Sequence, residues 1–187
     1  MPLTTYTAGQ VLTAASLNAN LSFASTNGGL VLISATTIGS AVGSVTVSGA
    51  FSSSYENYLI TVNGGVASSD TALELKLGST TTGYYAAASR VNFAGTGFTG
   101  NDNNAAAFTF AGLISTNSLN MNAVLQSPNL AKATVLNSSA VLPKSSGYGQ
   151  ACNGVLQDTT QYTAFTLTPS AGTITGGTIR VYGYLNS

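Results

Sequence analysis

The sequence predicts an all-β protein, an antiparallel two-sheet sandwich of jelly-roll-like type that follows a short N-terminal arm and helix. From Gly29 onward, short runs rich in β-branched and aromatic residues alternate with clusters of Gly, Asn and Ser, with no helical pattern between them. About ten such runs fit one two-sheet domain. We therefore divide the 187 residues into an attachment arm and helix at 1–28 and a β-sandwich domain at 29–187.

The strand pattern is clearest in residues 44–64, whose sequence is SVTVSGAFSSSYENYLITVNG. Valine alternates with polar residues in the first part, and a Ser-rich turn leads into a second run. There Tyr58, Ile60 and Val62 share one face, because successive side chains of a strand point to opposite sides. We predict that these two runs are adjacent antiparallel strands.

Other runs alternate in the same way. Leu73, Leu75 and Leu77 are predicted to point inward, and in residues 178–185 Ile179 and Val181 share one face. We expect early and late strands to pair as the fold closes. Further strands are predicted at residues 30–35, 84–93, 105–114, 119–126, 131–136, 149–156 and 162–168.

Residues 13–24 form the one predicted helix, with Thr13 suited to cap its first turn. Apolar residues recur on one face at coiled-coil spacing, and the residue before the cap is suited to pack against Leu17. A helix this short is marginal alone, so its apolar seam must pack on its own β domain, on copies of itself or on a neighbour. We favour copies or a neighbour, because arm and helix lie outside the strand pattern. The predicted attachment and oligomerisation residues are Leu12, Ala14, Leu17, Leu21 and Ala24.

Charge is scarce in this sequence. Charged residues make up 5 % and the net charge is zero, whereas an average soluble domain is about 25 % charged. The sequence has no cluster of basic residues that would predict binding to nucleic acid. No apolar run approaches the roughly 18 residues that a membrane span needs. A neutral surface offers little repulsion between copies, so we predict a homo-oligomer, specifically a homotrimer.

The residues that usually carry catalysis are also scarce. The chain has no His and a single Cys, which excludes Ser-His-Asp and Cys-His nucleophiles and zinc sites of the usual kind. Of the five carboxylates, Glu74 has the pattern of a solvent-facing strand residue, and Asp70 and Asp102 those of turn residues. We therefore predict no enzyme, no cofactor and no metal site.

Residues 95–104 are predicted to form a long loop. They begin with GTGFTG, which matches the G-x-G-x-x-G pattern of a dinucleotide-binding fingerprint. NDNN follows, however, and favours a turn over the helix that the fingerprint needs. Loops on a rigid sandwich are frequent binding sites. We select Phe98, Asn101 and Asp102 in this loop, and Tyr148 at the end of a second polar loop, as contact residues. The alternative is an ordinary surface loop, or one buried against a sister subunit.

Three segments resemble proteins of tailed bacteriophages. Residues 6–21, YTAGQVLTAASLNANL, are similar to a start common among tail and fibre proteins, in which an aromatic residue, A-G, an apolar pair, T-A-A and L-N lead into a short helix. The segment at 45–62, with its F-S-S-x-Y-x-N-Y core, and the closing IRVYGY resemble β domains of phage virion proteins.

The resemblance implies a structural, non-enzymatic virion protein. The expected role is a short tail fibre or tail-tip appendage, held to other virion proteins by its N-terminal segment, with the β domain facing a glycan or protein of the host surface. Under this reading, Phe98, Asn101, Asp102 and Tyr148 contact the host. The alternatives are a capsid decoration or cement protein and a glycan depolymerase, the latter disfavoured by the scarcity of acids.

Overall fold

A computed structural model describes residues 5–11, 13–26 and 29–185. They contain one helix, α1 (Ala14–Thr26), and fourteen strands. The strands are β1 (Leu30–Thr37), β2 (Val45–Val47), β3 (Asn57–Gly64), β4 (Val66–Ala67), β5 (Thr71–Leu77), β6 (Tyr84–Asn92), β7 (Gly97–Ala105), β8 (Phe108–Ile114), β9 (Leu119–Gln126), β10 (Thr134–Val141), β11 (Tyr148–Leu156), β12 (Phe165–Pro169), β13 (Ile174–Thr175) and β14 (Thr178–Tyr184).

The strands form two antiparallel layers. One layer has the order β1-β14-β3-β9-β10-β11-β6-β7, and the other has the order β2-β12-β5-β8. Pairing between β8 and β9 joins the layers, and β4 with β13 makes a small separate pair. This architecture confirms the predicted all-β, jelly-roll-like sandwich. It also confirms the pairing of early with late strands, because β14 lies between β1 and β3.

The core lies between the layers and follows the predicted alternation. Leu73, Leu75 and Leu77 are all 0 % exposed, and the predicted inward residues of β3 and β14 are buried as well. Full burial of such a side chain is favourable by roughly 1.5–3 kcal/mol. A smaller second cluster contains Leu113 together with Ala140 and Leu142.

The predicted pairing of the two runs in residues 44–64 is wrong. The first run, β2, pairs with β12, whereas β3 lies in the other layer between β14 and β9. The connection passes from one layer to the other with most of its residues exposed, and buried Tyr58 holds it in place. Its hydroxyl accepts a hydrogen bond from the Ser52 backbone N–H at 2.8 Å and donates to the Ser52 carbonyl at 2.7 Å. The ring of Phe51 packs edge-on against Tyr58, with centroids 4.8 Å apart.

The predicted long loop at residues 95–104 is also wrong, because most of it is strand β7, paired along its length with β6. The turn is short: Asn92 donates its backbone N–H to the Thr96 carbonyl at 3.0 Å and accepts the Thr96 N–H on Oδ1 at 2.8 Å. Gly and Asn have low strand propensity, but the hydrogen bonds that β6 offers outweigh it here. Fewer strands were predicted because β7 and the two-residue strands β4 and β13 were missed.

The helix lies close to its predicted position. The Ser16 backbone N–H donates to Thr13 Oγ1 at 3.2 Å, which confirms Thr13 as the cap. Leu12, and hence its predicted contact with Leu17, lies outside the described residues. Within the described part of the chain, no helix has the length and apolar character needed to cross a membrane.

Candidate functional site

The apolar seam of α1 is open to solvent. Leu17 is 42 % exposed and Leu21 is 59 % exposed, and none of the side chains described at residues 14–21 is buried. Of the other predicted seam residues, Ala14 is exposed, and the side chain of Ala24 lies outside the described part of the helix. The described part of the seam is therefore not covered by the sandwich that follows it.

A second exposed apolar surface begins just after the helix, on strand β1. Leu30 is 43 % exposed and Leu32 is 53 % exposed, and their partners on β14 are two half-buried tyrosines, Tyr184 and Tyr182. The row continues from Tyr182 to half-buried Leu59 on β3. We use the name α1–β1 surface for these two apolar rows together, Leu17 and Leu21 on the helix and Leu30 and Leu32 on the strand.

A cluster of aromatic rings around Arg90 forms a second candidate site, at the far edge of the larger layer. Strand pairing places Arg90 on β6 opposite Phe98 on β7 and opposite Gln150 on β11. The guanidinium carbon of Arg90 is 4.6 Å from the ring centroid of Phe110, 5.4 Å from that of Tyr148 and 5.7 Å from that of Phe98. Such distances permit cation–π attraction. We call these five residues the Arg90 cluster.

Gln150 fixes the orientation of the guanidinium. Its side chain is 5 % exposed, its Oε1 accepts a hydrogen bond from Arg90 Nε at 2.8 Å, and its Nε2 donates to the Phe110 carbonyl at 2.8 Å. The terminal nitrogens of Arg90 donate to no acceptor among the described residues, whose one ion pair joins Lys144 to Asp70. One edge of a positioned cation is therefore left without a partner in this part of the chain.

The rings of the cluster support one another. Phe98 and Tyr148 meet edge-on with centroids 5.1 Å apart, and Phe98 is 39 % exposed. Phe110 packs against the backbone of β7 at Gly100, where a Cβ atom would lie 2.8 Å from the ring. A glycine at this position therefore allows Phe110 to reach the guanidinium.

A shallow groove of about 170 Å³ lies beside the cluster, between the β6–β7 turn and the loop before β11. Asn92, Phe93, Ser145 and Ser146 contribute to its walls, and Phe93 is 59 % exposed. The Phe93 backbone N–H donates to the Gly147 carbonyl at 3.1 Å, which ties the turn to that loop. The groove adds hydroxyl and amide groups next to the aromatic rings.

The structure treats the four predicted contact residues differently. It brings Phe98 and Tyr148 together, 50 positions apart in sequence, within the Arg90 cluster. Asn101 is exposed but points to the opposite face of β7 from Phe98. Asp102 as a contact residue is wrong: it is 8 % exposed, and its carboxylate accepts hydrogen bonds from the backbone N–H, at 2.9 Å, and the hydroxyl of Thr109.

The sequence predictions missed Arg90 and Gln150. Arg90 shares a strand face with Tyr84, Ala86 and Ala88, all of which are buried. A single cation that continues an apolar face is unusual, and that break in the pattern is the signal that would have selected it.

The acidic residues have mainly structural partners. Asp158 accepts a hydrogen bond from the Tyr162 hydroxyl, and the pKa of Asp70 is lowered mainly by its hydrogen bond from Lys144. The pKa of Glu74 is raised mainly by desolvation and further by the charge of Asp102. Glu74 is half-buried and lines a cavity of about 190 Å³, so the prediction of a solvent-facing residue holds only in part.

The lone cysteine and the metal-ligating residues add no further site. Burial raises the pKa of the Cys152 thiol to about 11, so it is protonated at neutral pH. The described residues bring no three His, Cys, Asp or Glu side chains together in a way that could hold a metal ion.

No protein-family model matches the sequence, and no curated protein matches it either. Two solved structures of infectious bursal disease virus show a faint likeness, one of its VP2 subviral particle and one of its Gx strain. They are 10 % and 11 % identical to this chain, each with a TM-score of 0.12 over 84 % of it. The chain spans about two fifths of theirs, 41 % and 40 %. At that TM-score the likeness supports no conclusion about function.

Proposed function

We propose that this chain is a non-enzymatic structural component of a tailed-phage particle, a short tail fibre or tail-tip appendage. Residues 1–28 attach it to other virion proteins, and the sandwich faces the host surface. The observation that carries the proposal is the open seam of α1, with Leu17 42 % and Leu21 59 % exposed, beside a sandwich that fills its own core. The resemblance of residues 6–21 to the start of phage tail and fibre proteins supports it.

The open seam calls for a partner because α1 is short. A helix of 13 residues is marginal in water unless an apolar face is covered. Residues 5–26 contain no Asp, Glu, Lys, Arg or His, so copies of the helix meet without charge repulsion. This supports self-association through the α1–β1 surface, and a homotrimer stays our prediction for its stoichiometry.

The alternative within the same class is a capsid decoration or cement protein, in which the α1–β1 surface would seat on capsid subunits. The open seam fits either location on the particle. A glycan depolymerase has less support, because the Asp102 carboxylate already accepts two hydrogen bonds from Thr109. No second function is therefore proposed.

Deleting residues 1–26 tests the proposal. We expect the truncated chain to melt cooperatively as a β protein, because the described helix side chains contribute nothing to the buried core, and to be absent from assembled particles. A deletion of residues 1–10, which keeps α1, is the matched control and separates the arm from the helix. A truncated chain that is unfolded by circular dichroism would contradict the division at residue 28.

Imaging of intact particles then decides the location. Density assigned to the chain at the tail tip is the expected result. Density on the head lattice would replace the tail role with the decoration role, and an otherwise complete particle without the chain would refute both.

A further inference from the structure

We infer that the Arg90 cluster is a binding site for a carboxylate-bearing sugar, such as a uronic acid residue of a surface polysaccharide. The inference rests on the proposed function, in that it names the ligand that the outward-facing sandwich would meet. It is carried by a cation that is positioned, ringed by aromatic side chains and left without an anion among the described residues.

The cation is suited to a carboxylate. A guanidinium presents its N–H groups in a plane and binds carboxylates with two parallel hydrogen bonds. Gln150 accepts the hydrogen bond from Nε, so the ligand meets the two terminal nitrogens at the remaining edge of Arg90. Since Gln150 is buried and also bound to the Phe110 carbonyl, the guanidinium is oriented before the ligand arrives. Such preorganisation reduces the entropy lost on binding.

The surroundings of the Arg90 guanidinium favour the binding of an anion over hydration alone. Aromatic rings lie within 6 Å of the guanidinium on several sides, and they replace part of its hydration without supplying a full negative charge. A charge-assisted hydrogen bond is about twice as strong as a neutral one. A carboxylate at the free edge would form the ion pair that no described residue makes with Arg90.

The rings and the groove favour a sugar as the carrier of that carboxylate. Small-molecule sites combine apolar and aromatic walls with a few placed polar groups. Here Phe98 and Tyr148 form such a wall, and the adjoining groove offers the hydroxyls of Ser145 and Ser146 and the amide of Asn92. An acidic sugar carries several hydroxyls close to its carboxylate and can engage the polar groove and the aromatic wall together, so we favour the glycan over an acidic protein segment.

The test is a titration of the purified full-length chain, followed by NMR or calorimetry. The probe is a galacturonic acid trisaccharide, and the neutral control is the galactose trisaccharide of the same linkage. We expect the acidic sugar to bind at least tenfold more tightly than the neutral one, with the advantage reduced by added salt. Equal affinities, or no binding of the acidic sugar, would overturn the inference.

Two variants locate the site. Arg90→Lys keeps the charge but loses the planar, two-pronged donor, and we expect at least a tenfold loss of affinity for the acidic trisaccharide. Because Arg90 is half-buried, Phe98→Ala is a second variant at an exposed ring, and it should weaken binding several-fold without lowering the melting temperature. Val91→Ala is the control, because Val91 is exposed on the opposite face of β6 from Arg90, and it should leave the affinity unchanged. Unchanged affinity in both Arg90→Lys and Phe98→Ala would overturn the inference.

The outcome is separable from that of the proposed function. If the chain is found on the particle but neither trisaccharide binds, the inference fails and the virion role stands. If the titration succeeds but the chain is absent from particles, the virion role fails and the site stands. Binding of a poly-glutamate peptide with an affinity equal to that of the acidic sugar would replace the glycan with a protein partner.

Discussion

Strand β5 and helix α1 both carry a row of leucines, but the row on β5 is buried and the row on α1 is exposed. Leu73, Leu75 and Leu77 on β5 are each 0 % exposed, whereas Leu17 and Leu21 on α1 are 42 % and 59 % exposed. Leucine is buried on β5 because β12 and β8 hold the strand by hydrogen bonds on both sides and the opposite layer covers its inner face.

The helix differs because it satisfies its own backbone. An α-helix makes its backbone hydrogen bonds internally, so α1 needs no neighbouring strand to complete them, and its apolar side chains face outward, where another molecule can cover them. The stabilisation available from the sandwich leucines is realised within one chain. Burial of the helix leucines stabilises only a complex in which another molecule covers them. The leucines of β5 therefore contribute to folding, and those of α1 contribute to assembly.

Truncating a buried leucine of β5 should affect folding far more than truncating an exposed leucine of α1. Leu75→Ala opens a cavity in a fully buried position and should lower the free energy of unfolding by about 3 kcal/mol. The matched change Leu21→Ala on the helix should leave that free energy unchanged within about 0.5 kcal/mol. Urea denaturation of both variants, at a concentration where the chain is monomeric, measures the difference.

A comparable loss of unfolding free energy in both variants would contradict the prediction, because it would place Leu21 in the folding core. A small loss for Leu75→Ala alone would mean that the sandwich collapses into the space, which is the main reason such losses vary.

Alternation made much of the sandwich predictable. In β3, β5 and β14 every second residue is buried, and a period of two in the sequence reports this directly. Pairing was less predictable: β2 and β3 are neighbours in sequence, but they belong to different layers, and the hydroxyl of Tyr58 holds the connection between them. Strand β7 was missed because its Asn and Gly residues are paired by β6 in spite of their composition.

The site was predictable only in part. Phe98 and Tyr148 were selected as aromatic residues near turns, but they meet only because β11 and β7 flank β6. Such a juxtaposition depends on strand order, which local sequence does not encode. Asp102 was misassigned for a similar reason, since its burial depends on Thr109 of β8. Composition identified the right kinds of residue, and topology decided which of them act together.

Removing the apolar side chains of α1 should weaken association and leave folding unchanged. Leu17→Ser with Leu21→Ser removes the described apolar seam, and we expect roughly 100-fold weaker self-association, since each leucine contributes on the order of 1–2 kcal/mol when covered. The sandwich should melt at the same temperature as before. Sedimentation of the wild-type chain at micromolar concentration should show a trimer, and the double variant should dissociate.

Val91→Ser is the control for this change, because Val91 is 53 % exposed but lies on β6, away from the α1–β1 surface. It should leave association unchanged. A wild-type chain that sediments as a single compact monomer would refute the homotrimer. Association that persists in the double variant would assign the interface to β1 and not to α1.

A change of pH should alter the stability of the sandwich slightly and leave association through α1 unchanged. Because residues 5–26 contain no Asp, Glu, Lys, Arg or His, pH changes in the acidic range act on the sandwich and leave association through α1 unaltered. Burial, and then the charge of Asp102, raises the pKa of Glu74 above its usual value of 4.5, so the folded chain holds that proton more strongly than the unfolded chain. The resulting stabilisation is complete below pH 4.5 and is lost as the pH rises through the folded-state pKa.

Glu74→Gln should remove this contribution, so its melting temperature should fall less than that of the wild type between pH 4.5 and neutrality.

Asp70→Asn is the control whose pH dependence has the opposite sign. The hydrogen bond from Lys144 lowers the pKa of Asp70 below 3.8, so its stabilisation is present above that pH and disappears as the pH falls through the folded-state pKa. Asp70 lies at the surface and its ion pair with Lys144 is partly exposed, so we expect its effect to be close to the limit of detection. Thermal melts of all three chains, with sedimentation at each pH, test both halves of the prediction. An unchanged pH slope in Glu74→Gln would contradict the assignment to Glu74, and association that varies over the same pH range would place an ionisable group in the interface, contrary to an interface built on α1.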